Sequence, residues 1–286
     1  VENWNKNNCK GILKHATGSG KTITSIFIIN EHIKQGNPAI VIVPSRLLLF
    51  QWYEQLKNEI PESVILRCGA GFSKWRNDQS IKVSLHSKNK DLGTIILVVL
   101  DTASTKNFQN QLHNFELTLI VIDEVHTAGS LNARSIFQFA FKKKLGLSAT
   151  PERYSDPEGT EMIFNYFDKI LNPIIDIKYA IDKKRLVNYE YFPEFVLLNE
   201  IEENDWLDLT KKISKYISRD EKLIDLSDPI LKYLLITRSR IAKKANNKIK
   251  YAEKIIKNFY KDDGKYWLIY CEDEDQLQNI NQLLIN

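Results

Sequence analysis

"HATGSGKT", His15 to Thr22, is the stretch on which the fold turns. Gly18, Ser19 and Gly20 let successive backbone N–H groups turn inward around an anion. The run Ile23 to Gln35 that follows reads as a helix whose positive end faces the same anion. A Gly/Ser loop leading into a helix is what a phosphate site requires. In the pattern GxxxxGK[ST], Lys21 would reach the β and γ phosphates of ATP and the Thr22 hydroxyl would bind Mg2+, with Thr17 to Thr22 forming the cradle. His15 stands where that pattern has its first glycine, so a chance Gly-rich turn stays open on this stretch alone.

Outward from the loop, short apolar runs alternate with amphipathic ones. Ala39 to Val43, Ile95 to Leu100, Leu117 to Ile122 and Lys144 to Leu147 read as strands, several of them continuous Val/Ile/Leu runs suited to burial on both faces of a parallel sheet. Ser45 to Ile60 reads as a second helix, with Leu49, Trp52, Tyr53, Leu56 and Ile60 on one face, Ser45 as N-cap and Pro61 as the stop. This alternation gives an α/β layered domain. The run "LTLIVIDEVH", Leu117 to His126, carries two carboxylates where a buried strand ends. Open α/β sheets bind ligands at the carboxyl ends of their strands. Asp123 would therefore hold Mg2+, directly or through water, and Glu124 would orient and deprotonate an attacking water.

Composition narrows the classes. With 286 residues, 43% apolar and 27% charged, the chain points to about two globular domains. No apolar run approaches the roughly 20 residues of a membrane span. Cys9, Cys68 and Cys271 have no zinc-site or disulfide spacing, which fits a reducing cytoplasm. The net charge of +4 is too small to argue for nucleic acid by itself.

"ATGSGKT", "IVPSRLLLFQW", "LDTAS", "VIDEVH" and "GLSATP" stand in the order and spacing of motifs I, Ia, Ic, II and III of superfamily 2 helicases and translocases. The chain most resembles the DEVH branch typified by the xeroderma pigmentosum group B helicase, which includes motor subunits of restriction and defence systems. The resemblance implies a RecA-like parallel-sheet P-loop NTPase lobe over residues 1–200. A mostly helical, basic interlobe segment over 201–263 and the start of a second RecA-like lobe over 264–286 would follow. "KYWLIYCEDEDQL", Lys265 to Leu277, is similar to the first strand and helix of that second lobe. The adenine-holding element would precede Val1, and motifs V and VI with their arginine finger would follow Asn286. A fragment is therefore expected, weakly active or inactive alone.

Carried over by motif, Lys21, Asp123 and Glu124 would be catalytic. Pro44, Ser45 and Arg46, with Thr102, Ala103 and Ser104, would touch strand phosphates from helix starts, although Ser45 and Thr102 could also be plain caps. His126 would bond the motif III residues Ser148, Ala149 and Thr150, coupling nucleotide state to nucleic-acid grip. The expected function is an ATP-dependent helicase or translocase on duplex DNA, alone or with a nuclease or defence-complex partner. The alternative is a nucleotide-gated clamp that does not move. Arg153 is the first arginine that could stand in for the finger. From Lys232 to Lys257, Leu234, Ile241, Ala245, Ala252 and Ile256 recur at helical spacing, leaving a cationic face that is either solvated or tracks phosphate. In "CGAGFSKWRN", Trp75 reads as a tucked side chain rather than a base-stacking one.

Overall fold

A run such as Ala39–Val43 (AIVIV) can leave neither face in water, so it becomes an interior strand covered on both sides. The computed structural model describes residues 1–76, 79–86, 92–113, 115–154, 156–218, 228–260 and 266–285. In chain order the first elements are α1 (Glu2–Lys6), β1 (Lys10–His15), α2 (Lys21–Ile33), β2 (Ala39–Val43), α3 (Arg46–Glu59), β3 (Val64–Cys68), α4 (Ser80–His86) and β4 (Thr94–Val99). Then come α5 (Leu100–Ala103), α6 (Lys106–Gln109), β5 (Leu119–Asp123), β6 (Lys143–Ser148), α7 (Pro157–Phe167), β7 (Ile170–Ile175) and α8 (Ile177–Asp182). The chain continues through α9 (Glu200–Ile217), α10 (Pro229–Lys244), α11 (Asn246–Phe259) and α12 (Glu274–Ile285).

Seven strands pair in parallel in the order β3-β4-β2-β5-β6-β1-β7, giving the α/β, RecA-like sheet expected. Alternate residues feed opposite cores. Ile40, Ile42, Ile96, Val98, Ile120 and Ile122 pack with Trp75, Phe108, Ile163 and Phe167 on one face. Val41, Val43, Ile95, Leu97, Val121 and Leu147 pack with Ile29 of α2 and Leu49, Trp52 and Leu56 of α3 on the other. Each buried large apolar side chain contributes about 1.5–3 kcal/mol, so the sheet is the most stable part of the chain. Its register pairs Lys14 with Ser148 and Leu147 with both Leu13 and Asp123. The residues that carry chemistry thus end their strands level, on one rim.

By backbone contacts the chain divides into Val1–Tyr189 and Glu190–Asn286. In the second unit α9 starts with a capping box. The Asn199 side chain accepts from the Glu202 amide, and the Glu202 carboxylate accepts from the Asn199 amide. The stripe read as one helix from Lys232 to Lys257 is two helices, because Ala245 (φ −44°, ψ 125°) leaves the helical region between α10 and α11. The helix expected after "YWLIY" is α12, but Tyr266–Tyr270 form no strand among the described residues. A strand exists only through a hydrogen-bonded partner, and those residues have none there. Lys265 lies outside the described residues, as do Asp263 and Asn77 of the stretches quoted above. Among the described residues, no helix is long and apolar enough to cross a membrane.

Candidate nucleotide and nucleic-acid site

The phosphate loop leaves β1 at His15 and enters α2 at Lys21. Gly18 (φ 79°) and Gly20 (φ 97°, the N-cap of α2) are both left-handed, a conformation that side chains disfavour, and this fixes glycine at these two places. The loop is braced from below. The Ser19 hydroxyl donates to the Ala16 carbonyl at 2.6 Å, and the Ala16 amide donates to the Ile175 carbonyl of β7 at 2.6 Å. The buried Lys21 ammonium donates to the His15 carbonyl at 2.8 Å, so the cation sits inside the loop that would receive an anion. His15 itself is buried, with Nε2 3.1 Å from the Pro173 carbonyl. Burial, with the nearby Lys21 and Arg185 charges adding to it, holds this imidazole below its usual pKa. The neutral ring bolts the loop to β7, which accounts for a histidine in place of the pattern's first glycine.

Asp123 ends β5 with its carboxylate buried. One oxygen accepts from the Glu124 amide at 2.9 Å and the other from the Trp52 indole N–H at 2.8 Å. Both donors are neutral N–H groups, and an oxygen donor of this kind is what a hard divalent cation takes as a ligand. Trp52 was legible only as a core residue of α3. The missed signal is that a buried indole N–H needs an acceptor. Glu124 follows in the left-handed region (φ 46°, ψ 54°), a strained place for a non-glycine residue that recurs at active sites. Its carboxylate lies 3.4 Å from His126 Nδ1.

His126 Nδ1 is also 3.1 Å from the Ser148 hydroxyl, and that hydroxyl accepts from the Thr150 amide at 3.1 Å. The expected motif II to motif III contact is therefore present, running Glu124, His126, Ser148, Thr150. Ala149, which continues from β6, lines with Lys14, Ala16 and Thr150 a cavity of about 670 Å3 beside the phosphate loop. Arg153 is not free to act as a finger. Its Nε donates to Asp156 at 2.8 Å, and its NH1 donates to the His126 carbonyl. The same Asp156 caps α7 through the Gly159 amide, and these two bonds hold its carboxyl below the usual range.

On the other half of the rim, Ser45 caps α3 by accepting from the Leu48 amide at 3.3 Å, with Pro44 half-buried and Arg46 exposed at the first helical position. The second group departs from expectation. Thr102 and Ala103 lie inside α5 and Ser104 is its C-cap, so they do not begin a helix. The helix start belongs to Thr105, whose hydroxyl accepts from the Phe108 amide. The Ser104 hydroxyl turns back to the Leu100 carbonyl, while the half-buried Thr102 packs its hydroxyl against Gly69. Trp75 is buried against Phe108, as expected of a tucked side chain. Among the described residues, no His/Cys/Asp/Glu group of three or more is placed to hold a metal.

Residues 1–153 match the protein family described as type III restriction enzyme, res subunit. A protein of Halobacterium salinarum named as the DNA 3'-5' helicase Rad25 is 30% identical over 148 residues, covering 52% of this chain and 22% of that protein. A protein of African swine fever virus named as the ATP-dependent RNA helicase QP509L is 29% identical over 185 residues, 63% of this chain and 32% of its own. The chain thus spans less than a third of the length of these relatives. A solved structure of a nuclease-deletion mutant of the Type ISP restriction-modification enzyme LlaGI with a DNA substrate mimic aligns with 98% of this chain and 27% of its own. Its TM-score is 0.44 at 17% identity.

Proposed function

The chain belongs to the type III restriction enzyme, res subunit, family, and from that premise we propose that it is the nucleotide-binding lobe of a superfamily 2 nucleic-acid motor. The motor couples ATP hydrolysis to movement along one strand of duplex DNA. The observation that carries the reading is the order of the rim, where β5, β6 and β1 are neighbours and end in Asp123, Ser148 and the phosphate loop. Within that reading the chain sits on the DEVH branch, and a nuclease or defence-complex partner does any cutting. Residues 264–286 begin a second lobe.

Thr17 to Thr22 would cradle the triphosphate, with Lys21 leaving the His15 carbonyl for the β and γ phosphates. Thr22 and Asp123 would hold Mg2+, which when bound neutralises phosphate charge. Glu124 would orient the attacking water and take its proton. His126, whose Nδ1 lies near both the Glu124 carboxylate and the Ser148 hydroxyl, would pass the state of the phosphate site to motif III. Pro44, Ser45 and Arg46, with Thr102, Ala103 and Ser104, would hold strand phosphates at the ends of β2 and β4.

The test is ATP turnover with and without duplex DNA, together with binding of a fluorescent ATP analogue. Lys21→Ala should lose binding and turnover. Glu124→Gln should keep binding and lose turnover by a factor of about 10² or more, since only the water-activating group is removed. Full turnover in either variant rules the assignment out. A directional strand-displacement assay on a protein with both lobes separates a motor from a static clamp.

A further inference from the structure

Beside the clamp just described lies a group of residues centred on Arg67, which none of the motifs includes. The guanidinium of Arg67, near the end of β3, stands between two rings, 4.0 Å from the centroid of Tyr53 on α3 and 4.0 Å from that of Phe72. Phe72 meets Phe50 edge-on at 5.9 Å, and Arg46 lies 5.6 Å from the Phe50 centroid. A tight turn fixes Phe72. Gly69 and Phe72 exchange backbone hydrogen bonds at 3.1 and 2.9 Å, with Ala70 (φ 54°) and Gly71 (φ 98°) both left-handed between them. A side chain at Gly69 would collide with the Thr102 hydroxyl, so this turn is pressed against the residue expected to hold a strand. Thr102, the turn, Phe72, Arg67 and Tyr53 make one contiguous surface with Phe50 and Arg46.

The charges on that surface are uncompensated. Among the described residues no carboxylate pairs with Arg46 or Arg67, whereas Arg134 and Arg153 of the same unit pair with Glu158 and Asp156. A guanidinium held 4.0 Å from two ring centroids is fixed in place by them and keeps its N–H groups for other acceptors. Such a fork matches phosphate oxygens, and the rings that hold it reduce the entropy lost on binding. Two arginines near the Thr102 hydroxyl and the start of α3 fit a repeating anion better than a single one.

We propose that Arg67, clamped between Tyr53 and Phe72, is a phosphate-contact residue for a polynucleotide strand and extends the Ser45, Arg46 and Thr102 clamp to the β3 edge of the sheet. The inference rests on the nucleic-acid part of the reading above. It concerns the backbone, so deoxyribose and ribose strands should feel it equally.

Anisotropy titrations of labelled single-stranded DNA and RNA of one sequence, from low to moderate salt, test it. Arg67→Gln should weaken both by roughly tenfold at low salt and lower the slope of log affinity against log salt by about one. Unchanged affinity and slope in Arg67→Gln, alongside a loss in Arg46→Ala, would overturn the inference and leave the clamp standing. If the unaltered protein binds ATP but neither strand, the inference and the nucleic-acid reading fall together. A thermal melt reports folding. Should Arg67→Gln not fold, Arg67→Lys carries the test, with affinity reduced several-fold at an unchanged slope, because lysine keeps the charge and loses the fork. Wild-type affinity in Arg67→Lys would then overturn the role of the clamped guanidinium.

Discussion

An indole N–H is a donor with no fallback once it is buried, and at Trp52 that requirement is met by the carboxylate proposed to hold the metal. Trp52→Phe removes the one donor together with part of the buried ring, so the lost packing adds to any loss of stability. Asp123 is then left buried with one oxygen unpaired, which should cost about 1–3 kcal/mol of stability. The freed carboxylate should also raise the Mg2+ concentration needed for half-maximal turnover. Urea melts and a Mg2+ titration check both, and wild-type values in each would show that the bond does not position Asp123. The phosphate loop and the Asp123–Glu124 pair were legible because each is contiguous in the chain. The Trp52–Asp123 bond joins residues 71 apart, and no local pattern announces it. Thr102 was misplaced for a related reason. In "LDTASTK" four polar residues could each cap a helix, and only packing decides that Thr105 does.

At the scale of elements, α2 depends on protonation at its far end. His32 is buried, with Nε2 3.2 Å from the Pro38 carbonyl and Nδ1 3.3 Å from the Lys143 ammonium. Burial first, and the Lys143 charge second, lower its pKa from 6.5 to about 4. The folded form therefore keeps a neutral ring while the unfolded chain takes up a proton near 6.5. The resulting stability is fully present above that pH and is lost as pH falls toward 4, by about 3 kcal/mol in all. Asp156, held below the usual carboxyl range, adds a loss of the same sign at still lower pH. Urea midpoints taken from pH 7.5 to 4 should fall more steeply in the wild type than in His32→Gln. Parallel curves would refute the assignment. Most of the strands that were read from sequence carry long apolar runs, although β6 (KKLGLS) does not. Three others gave weaker signals: β1 has lysines at both Lys10 and Lys14, β3 ends in Arg67 and Cys68, and β7 carries Pro173 inside it. Proline has no amide to donate, which argues against a strand until the edge position of β7 is known. The break at Ala245 gives no local sign either, since alanine is the best helix former.

At the scale of the whole chain, every residue proposed to touch phosphate or metal precedes Tyr189, and so do both faces of the sheet's core. The sequence suggested a boundary at 200, where the cap of α9 begins. The second compact unit begins at Glu190, and its extended residues bind onward to the helices, as where Asn247 donates to the Leu197 carbonyl. Among its described residues the later unit buries few apolar side chains, chiefly Ile213, Leu231 and Ile280, while Tyr191, Phe192, Phe195, Leu268 and Tyr270 are exposed. The two units should therefore behave differently when separated. Residues 1–189 should unfold cooperatively, bind Mg·ATP within about twofold of the 286-residue chain, and lose that binding in Lys21→Ala. Residues 190–286 should melt without a sharp transition and bind a hydrophobic dye. Scanning calorimetry, fluorescent-nucleotide titration and dye fluorescence make the comparison. If residues 1–189 folded but bound ATP tenfold more weakly than the longer chain, a group after Tyr189 would have to hold the nucleotide, and the rim of the first sheet would be only part of the site.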